Sequence, residues 1–176
     1  GAGYARHAAP AGEGGLLPAI PFGWPGSGLE VRPAIFAELV RGLLSNLMED
    51  GFSDVRVLVP PGLDLGAGIP QVRAERGPSG DFPLSEADLE KVVLVPIGHT
   101  EQHGYHSPLS TDTLIIQAVG QGTAQAVPQQ AACLPVFPYG VSTHRRSFPG
   151  TFSVGGRTFE DFWLAVIDTL VGRGFT

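Results

Sequence analysis

The sequence predicts an α/β layered domain built on a mostly parallel sheet. Two observations carry that prediction. From Lys91 onward, short apolar runs alternate with segments of helical periodicity, the order that builds parallel strand–helix–strand layers. Earlier, a helical pattern is again followed by an apolar run, "VRVLVPPG" (55–62). With 43% hydrophobic and 16% charged residues over 176 positions, the chain has the make-up of a folded domain with a core.

In chain order, residues 1–14 read as a flexible tail. "LPAIPFG" (17–23) and "LPVFPYG" (134–140) share one pattern, Leu-Pro-x-apolar-Pro-aromatic-Gly. Each leads through a turn-rich stretch into a helical pattern ending in Gly-Phe, over 35–52 and 158–175. Phe36, Leu39, Val40, Leu43, Leu44 and Leu47 fall at helical spacing in the first, and Phe159, Phe162, Trp163, Val166, Ile167 and Leu170 in the second. Gly51 and Gly174 are natural stops, because glycine tolerates the left-handed backbone that ends many helices. The shared lead-in points to an internal duplication.

"VRVLVPPG" reads as a buried strand stopped by two prolines. Residues 63–90, rich in glycine and proline and without periodicity, read as a linker or long loop. Their "GLDLGAG" lead-in lacks the spacing and the following helix of a nucleotide fingerprint. "KVVLVPIG" is then a short strand, and "TDTLIIQAVGQGTAQAV" a helix with Thr111 or Asp112 near its N-cap. Its inward stripe is expected at Ile115, Ala118, Val119, Gly122 and Ala126. "AACLPVFPYG" is a second strand and "GTFSV" a third, before the last helix.

Bulk properties exclude several functions. A net charge of −6 argues against nucleic-acid binding, which needs basic patches. No apolar run is long enough to span a bilayer, and no secretory leader is legible, so a cytoplasmic protein is expected. A single cysteine, Cys133, rules out an internal disulfide framework and a cysteine-rich zinc ribbon. Gly1 and the stop after "GRGF" at Thr176 read as cut ends, as in a fragment or processed piece.

The chemistry concentrates in "VPIGHTEQHGYHSPLSTDT" (95–113), which leaves a strand. Sites in such sheets form at the carboxyl ends of strands. Glu101 and His103 are two apart and lean to the same side in extended backbone. Gly104 and Pro108 exclude a helical histidine pair of His103 and His106. A turn could return Asp112 toward Glu101 and His103. An imidazole with two carboxylates suits zinc, manganese or a similar divalent ion. Spacing alone leaves a second reading open, in which Asp112 caps its helix and the other two are solvated.

"PIGHTEQHGYHSPLSTDT", "LPVFPYGVSTHRRSFPGTFS" and the helix ending in Gly-Phe together resemble the creatininase (creatinine amidohydrolase) family over residues 91–176. The resemblance implies a layered creatininase-like sandwich, incomplete in this chain. It also implies a two-metal centre, with Zn and/or Mn, that hydrolyses amide bonds, often cyclic ones. Carried over, Glu101 and His103 each bind one metal and Asp112 bridges them. His106 lines the pocket, and His144 stands near the substrate where the family commonly has glutamate, with Arg145 at a histidine position. His99 replaces a usual serine. The family's further ligands come from beyond the last helix. Residues 91–176 thus resemble the N-terminal half of a member, and 15–62 a degenerate copy of its later part. A tandem duplication and a permuted single domain are both consistent with this order. The expected partners are a small-molecule amide substrate and a second chain, or a homo-oligomer, that completes the site. An inert structural partner is the alternative.

Overall fold

The computed structural model describes residues 15–76 and 80–175. The tail expected at 1–14 lies outside them. Among the described residues, three helices and four short strands make an α/β arrangement in which every strand pairing is parallel. Strands β1 (Val57–Val59) and β2 (Gln71–Arg73) form one two-stranded sheet, and β3 (Val92–Leu94) and β4 (Ala131–Cys133) another.

Helix α1 (Pro33–Glu49) starts with proline, whose missing N–H costs nothing in the first turn. It buries Phe36, Leu39, Val40, Leu43 and Leu44 at the predicted spacing. Helix α3 (Gly156–Gly172) buries Phe162, Trp163, Val166 and Leu170. Both helices end alike. Gly51 and Gly174 adopt φ of +91° and +92°. The following phenylalanine N–H then reaches back, Phe52 to the Leu47 carbonyl and Phe175 to that of Leu170. This wrapped-back C-terminus satisfies carbonyls the helix leaves open. The two helices pack on each other. Phe22, Phe137, Tyr139, Phe152 and Phe162 are buried beside them in one continuous core.

Three sequence expectations change. In α2 (Thr111–Ala126) the expected inward stripe faces outward, with Ile115 59% and Val119 55% exposed. The buried positions are Thr113 and Gly120. The helix lies too close to the β3–β4 layer for larger side chains. A Cβ on Gly120 would sit 3.0 Å from Cys133 Sγ and 3.4 Å from Pro96 Cβ, so size decides which face turns inward.

The third strand does not form at 150–154. That segment makes single backbone bonds to two neighbours instead, Phe152 N–H to Thr100 and Val154 N–H to Gly140. Residues 63–90 hold β2 and a short 3-10 turn at Glu86–Asp88, and they bury Leu63, Leu65 and Ile69. Among the described residues no helix is long and apolar enough to cross a membrane.

Candidate metal centre

The chain leaves β3 through Pro96 and Ile97, held beside the continuation of β4. Gly98 N–H donates to the Phe137 carbonyl (2.7 Å) and Phe137 N–H to that of Pro96 (3.0 Å). Thr100 Oγ1 donates to the Pro138 carbonyl at 2.8 Å. From this rim the loop closes on itself, Glu101 N–H donating to the Leu109 carbonyl at 3.0 Å. Gly104, with φ of +80°, takes a left-handed turn open mainly to glycine.

The loop then enters α2, whose first turn is pinned to its base by Thr113 Oγ1 donating to the His99 carbonyl at 2.9 Å. That approach needs a glycine at 98, since a Cβ there would lie 2.6 Å from Thr113 Cα. The N-cap is Ser110, without a side-chain capping bond. Asp112, one turn-position inside, points to His103 instead. A carboxylate is also favoured there by the helix N-terminus.

Glu101, His103 and Asp112 therefore converge. One ligand atom from each lies within 4.8 Å of the others. His103 Nε2 is 3.2 Å from Asp112 Oδ1 and 3.8 Å from Glu101 Oε1. His103 Nδ1 lies 3.0 Å from the Glu101 backbone carbonyl, which can only accept, so Nδ1 carries a proton. Nε2 faces both carboxylates, so either a proton on that nitrogen, which makes the ring a cation, or a metal ion must lie between them. Without a cation or a second proton between them, those three groups repel. This donor set fits a divalent ion, and the backbone bond that orients the imidazole is the kind that metal-binding histidines use.

Glu101 is the buried member, its side chain 11% exposed against 19% for His103 and 39% for Asp112. Burial pushes its carboxyl upward. The Ser142 hydroxyl, which donates a short hydrogen bond to Oε2, and the charges of His99, Arg145 and His103 outweigh that and hold it below the ordinary carboxylate range. Around this core, Thr151 Oγ1 accepts from Gln102 N–H at 3.1 Å, and Arg145 Nη1 donates to the Gln102 carbonyl at 2.6 Å. Arg145 Nε stands 3.8 Å from Glu101 Oε1 and donates to His144 Nε2 at 3.3 Å.

His106 is exposed in the loop and lies outside the cluster. His144 is exposed and linked to it through Arg145. Sequence reasoning missed Ser142 as the support of Glu101 and Thr151 as that of the Gln102 amide. Their only signal was small polar residues flanking the departing "THRRSFPG" turn.

The creatininase family model, described as creatinine amidohydrolase, matches residues 84–176. The chain belongs to the creatininase family. It is similar to the mycofactocin precursor peptide peptidase of Mycolicibacterium smegmatis, 42% identical over 73 residues, covering 39% of this chain and 30% of that protein. It is also similar to the creatinine amidohydrolase of Pseudomonas putida, 32% identical over 88 residues (47% and 33% covered). A 3-dehydro-scyllo-inosose hydrolase of Thermotoga maritima matches at 30% identity over 95 residues (52% and 28% covered). The chain thus spans about a third or less of the length of these creatininase-type relatives. No solved structure matches it.

Proposed function

We propose that this creatininase-family chain contributes one side of a divalent-metal site, taking zinc or manganese, in a hydrolase that cleaves an amide C–N bond. The observation that supports it best is the convergence of Glu101, His103 and Asp112, with Nε2 of the imidazole turned toward both carboxylates. Glu101 and His103 would hold the metal from the buried side, and Asp112 would reach it from the start of α2 with an oxygen to spare for a second ion. Bound there, a divalent ion would acidify a water and polarise a carbonyl.

The chain's own groups orient the donors. Ser142 fixes one Glu101 oxygen, and the Glu101 carbonyl fixes the His103 tautomer. His144 and His106 are proposed to face substrate, with the remaining ligands coming from further chain or from a second subunit.

The test is Asp112→Asn. We expect Mn²⁺ or Zn²⁺ binding, followed by calorimetry, to weaken by about ten- to hundredfold, and metal-dependent amide hydrolysis by the assembled protein to be lost. Unchanged metal affinity in that variant would refute the assignment. A second reading, an inert partner, is favoured by one observation: among the described residues the cluster has three ligand-bearing side chains. Tight metal binding without hydrolysis of any amide would support it.

A further inference from the structure

Arg146 draws together residues nearly a hundred positions apart. Its Nη1 donates to Asp50 Oδ1 at 3.0 Å and to the Thr151 carbonyl at 3.2 Å. Its Nη2 donates to Glu49 Oε2 at 2.6 Å and to the Asn46 carbonyl at 3.2 Å. Asp50 is largely buried, its side chain 8% exposed, and its other oxygen accepts from Gly150 N–H at 2.9 Å. Asn46, also buried, accepts from Ser153 N–H at 2.6 Å and donates to the Gly42 carbonyl at 2.9 Å. The C-terminal end of α1 therefore grips the segment 146–153 through two acidic side chains, an amide and an arginine.

That segment belongs to the stretch that supports the metal cluster. Ser153 Oγ accepts from Ser142 N–H at 3.2 Å, and Ser142 donates to Glu101. Thr151 holds the Gln102 amide, and Phe152 N–H donates to the Thr100 carbonyl at 3.0 Å. Each link is a directional hydrogen bond between buried or half-buried groups, where geometry is held most tightly.

We propose that Arg146, Asp50 and Asn46 are positioning residues for the candidate metal centre: the end of α1 sets the 142–153 segment, which in turn sets Glu101 and the loop to His103. The proposal rests on the metal reading for its functional meaning, while its geometric part stands apart from it. It gives residues 33–50 a role at a site from which they contribute no ligand.

The experiment uses the 176-residue chain and four variants: Arg146→Met, Arg146→Lys, Asp50→Asn, and Asp88→Asn as a control that breaks the separate ion pair with Lys91. Two readouts are taken, amide hydrogen exchange at residues 100–103 without metal, and Mn²⁺ affinity by calorimetry. We expect Arg146→Met to speed exchange at Gln102 and weaken Mn²⁺ binding by about tenfold or more. Arg146→Lys, which keeps the charge but not the planar fork, should recover part of the affinity. The control should alter neither. If Arg146→Met fails to fold, Asp50→Asn carries the same expectation. Folded variants with unchanged exchange at 100–103 would overturn the proposal. If the parent chain itself takes up no Mn²⁺, the metal reading falls and the exchange data alone decide the positioning role.

Discussion

At Glu101 one carboxylate oxygen depends on one hydroxyl. Ser142 is 2% exposed and donates to Oε2, so replacing it with alanine leaves a buried charged acceptor short of its donor. Such a loss costs about 1–3 kcal/mol. The sign of its pH dependence follows from the folded-state shift. Glu101 sits below its ordinary value of 4.5 in the fold, so its contribution to stability is present above that value and is lost as pH falls through the lowered one. Ser142→Ala raises the folded value, and the acid-unfolding midpoint followed by circular dichroism should move to higher pH. An unmoved midpoint would show that the hydroxyl does not hold the charge.

The convergence of the three clustered residues was legible as one of two readings of a short loop between a strand and a helix, and the family resemblance is what singled it out. Ser142, Thr151 and Arg146 were not legible, since their partners lie 41 to 100 positions away and no local spacing encodes such contacts.

Among the elements, α2 was recognised as a helix but its face was misjudged, and the reason is steric. Apolar content marked Ile115 and Val119, whereas the close approach to β3 and β4 admits only the small face carrying Gly120 and Thr113. Strands β1, β3 and β4 stand where the apolar runs predict them and are shorter, each three residues, because prolines at 60, 61, 96 and 135 cut their ladders. Strand β2 instead lies in the stretch expected as a linker, and the strand expected at 150–154 does not form. The same sterics make two glycines respond in opposite senses. Gly98→Ala puts a Cβ 2.6 Å from the backbone of Thr113, which cannot step aside without moving the start of α2 and Asp112 with it. The expected cost is about 1–3 kcal/mol. A Cβ on Gly122 meets nothing within 4 Å in the exposed middle of the same helix. Gly122→Ala should therefore stabilise by about 0.5–1 kcal/mol through backbone entropy alone. Thermal unfolding of the two variants checks both signs. A destabilised Gly122→Ala would mean that the outer face of α2 is covered.

Across the whole molecule, the question is whether residues 15–62 and 91–175 are two units or one. The core answers in terms of contacts. The ring of Phe22 lies 5.8 Å from that of Phe137 and 6.1 Å from that of Trp163. Phe137 packs in turn on Phe162 and Trp163 at 5.1 and 5.2 Å. Tyr139 Oη donates to the Pro18 carbonyl at 2.6 Å, and α1 lies against α3. A segment whose apolar face is covered by another segment has no separate core to melt, so the two should unfold in one transition. Phe22 is 1% exposed, and truncating such a buried ring costs about 3–5 kcal/mol. That is a large share of the roughly 5–15 kcal/mol available to a small domain. Phe22→Ala should lower the denaturation midpoint identically whether it is followed by far-UV circular dichroism or by tryptophan fluorescence. The isolated piece 91–176, which carries the whole candidate metal cluster, should show no cooperative transition, because Phe137, Phe162 and Trp163 lose their cover. A sharp, independent transition in that piece would establish two units and remove the basis for α1 positioning the site.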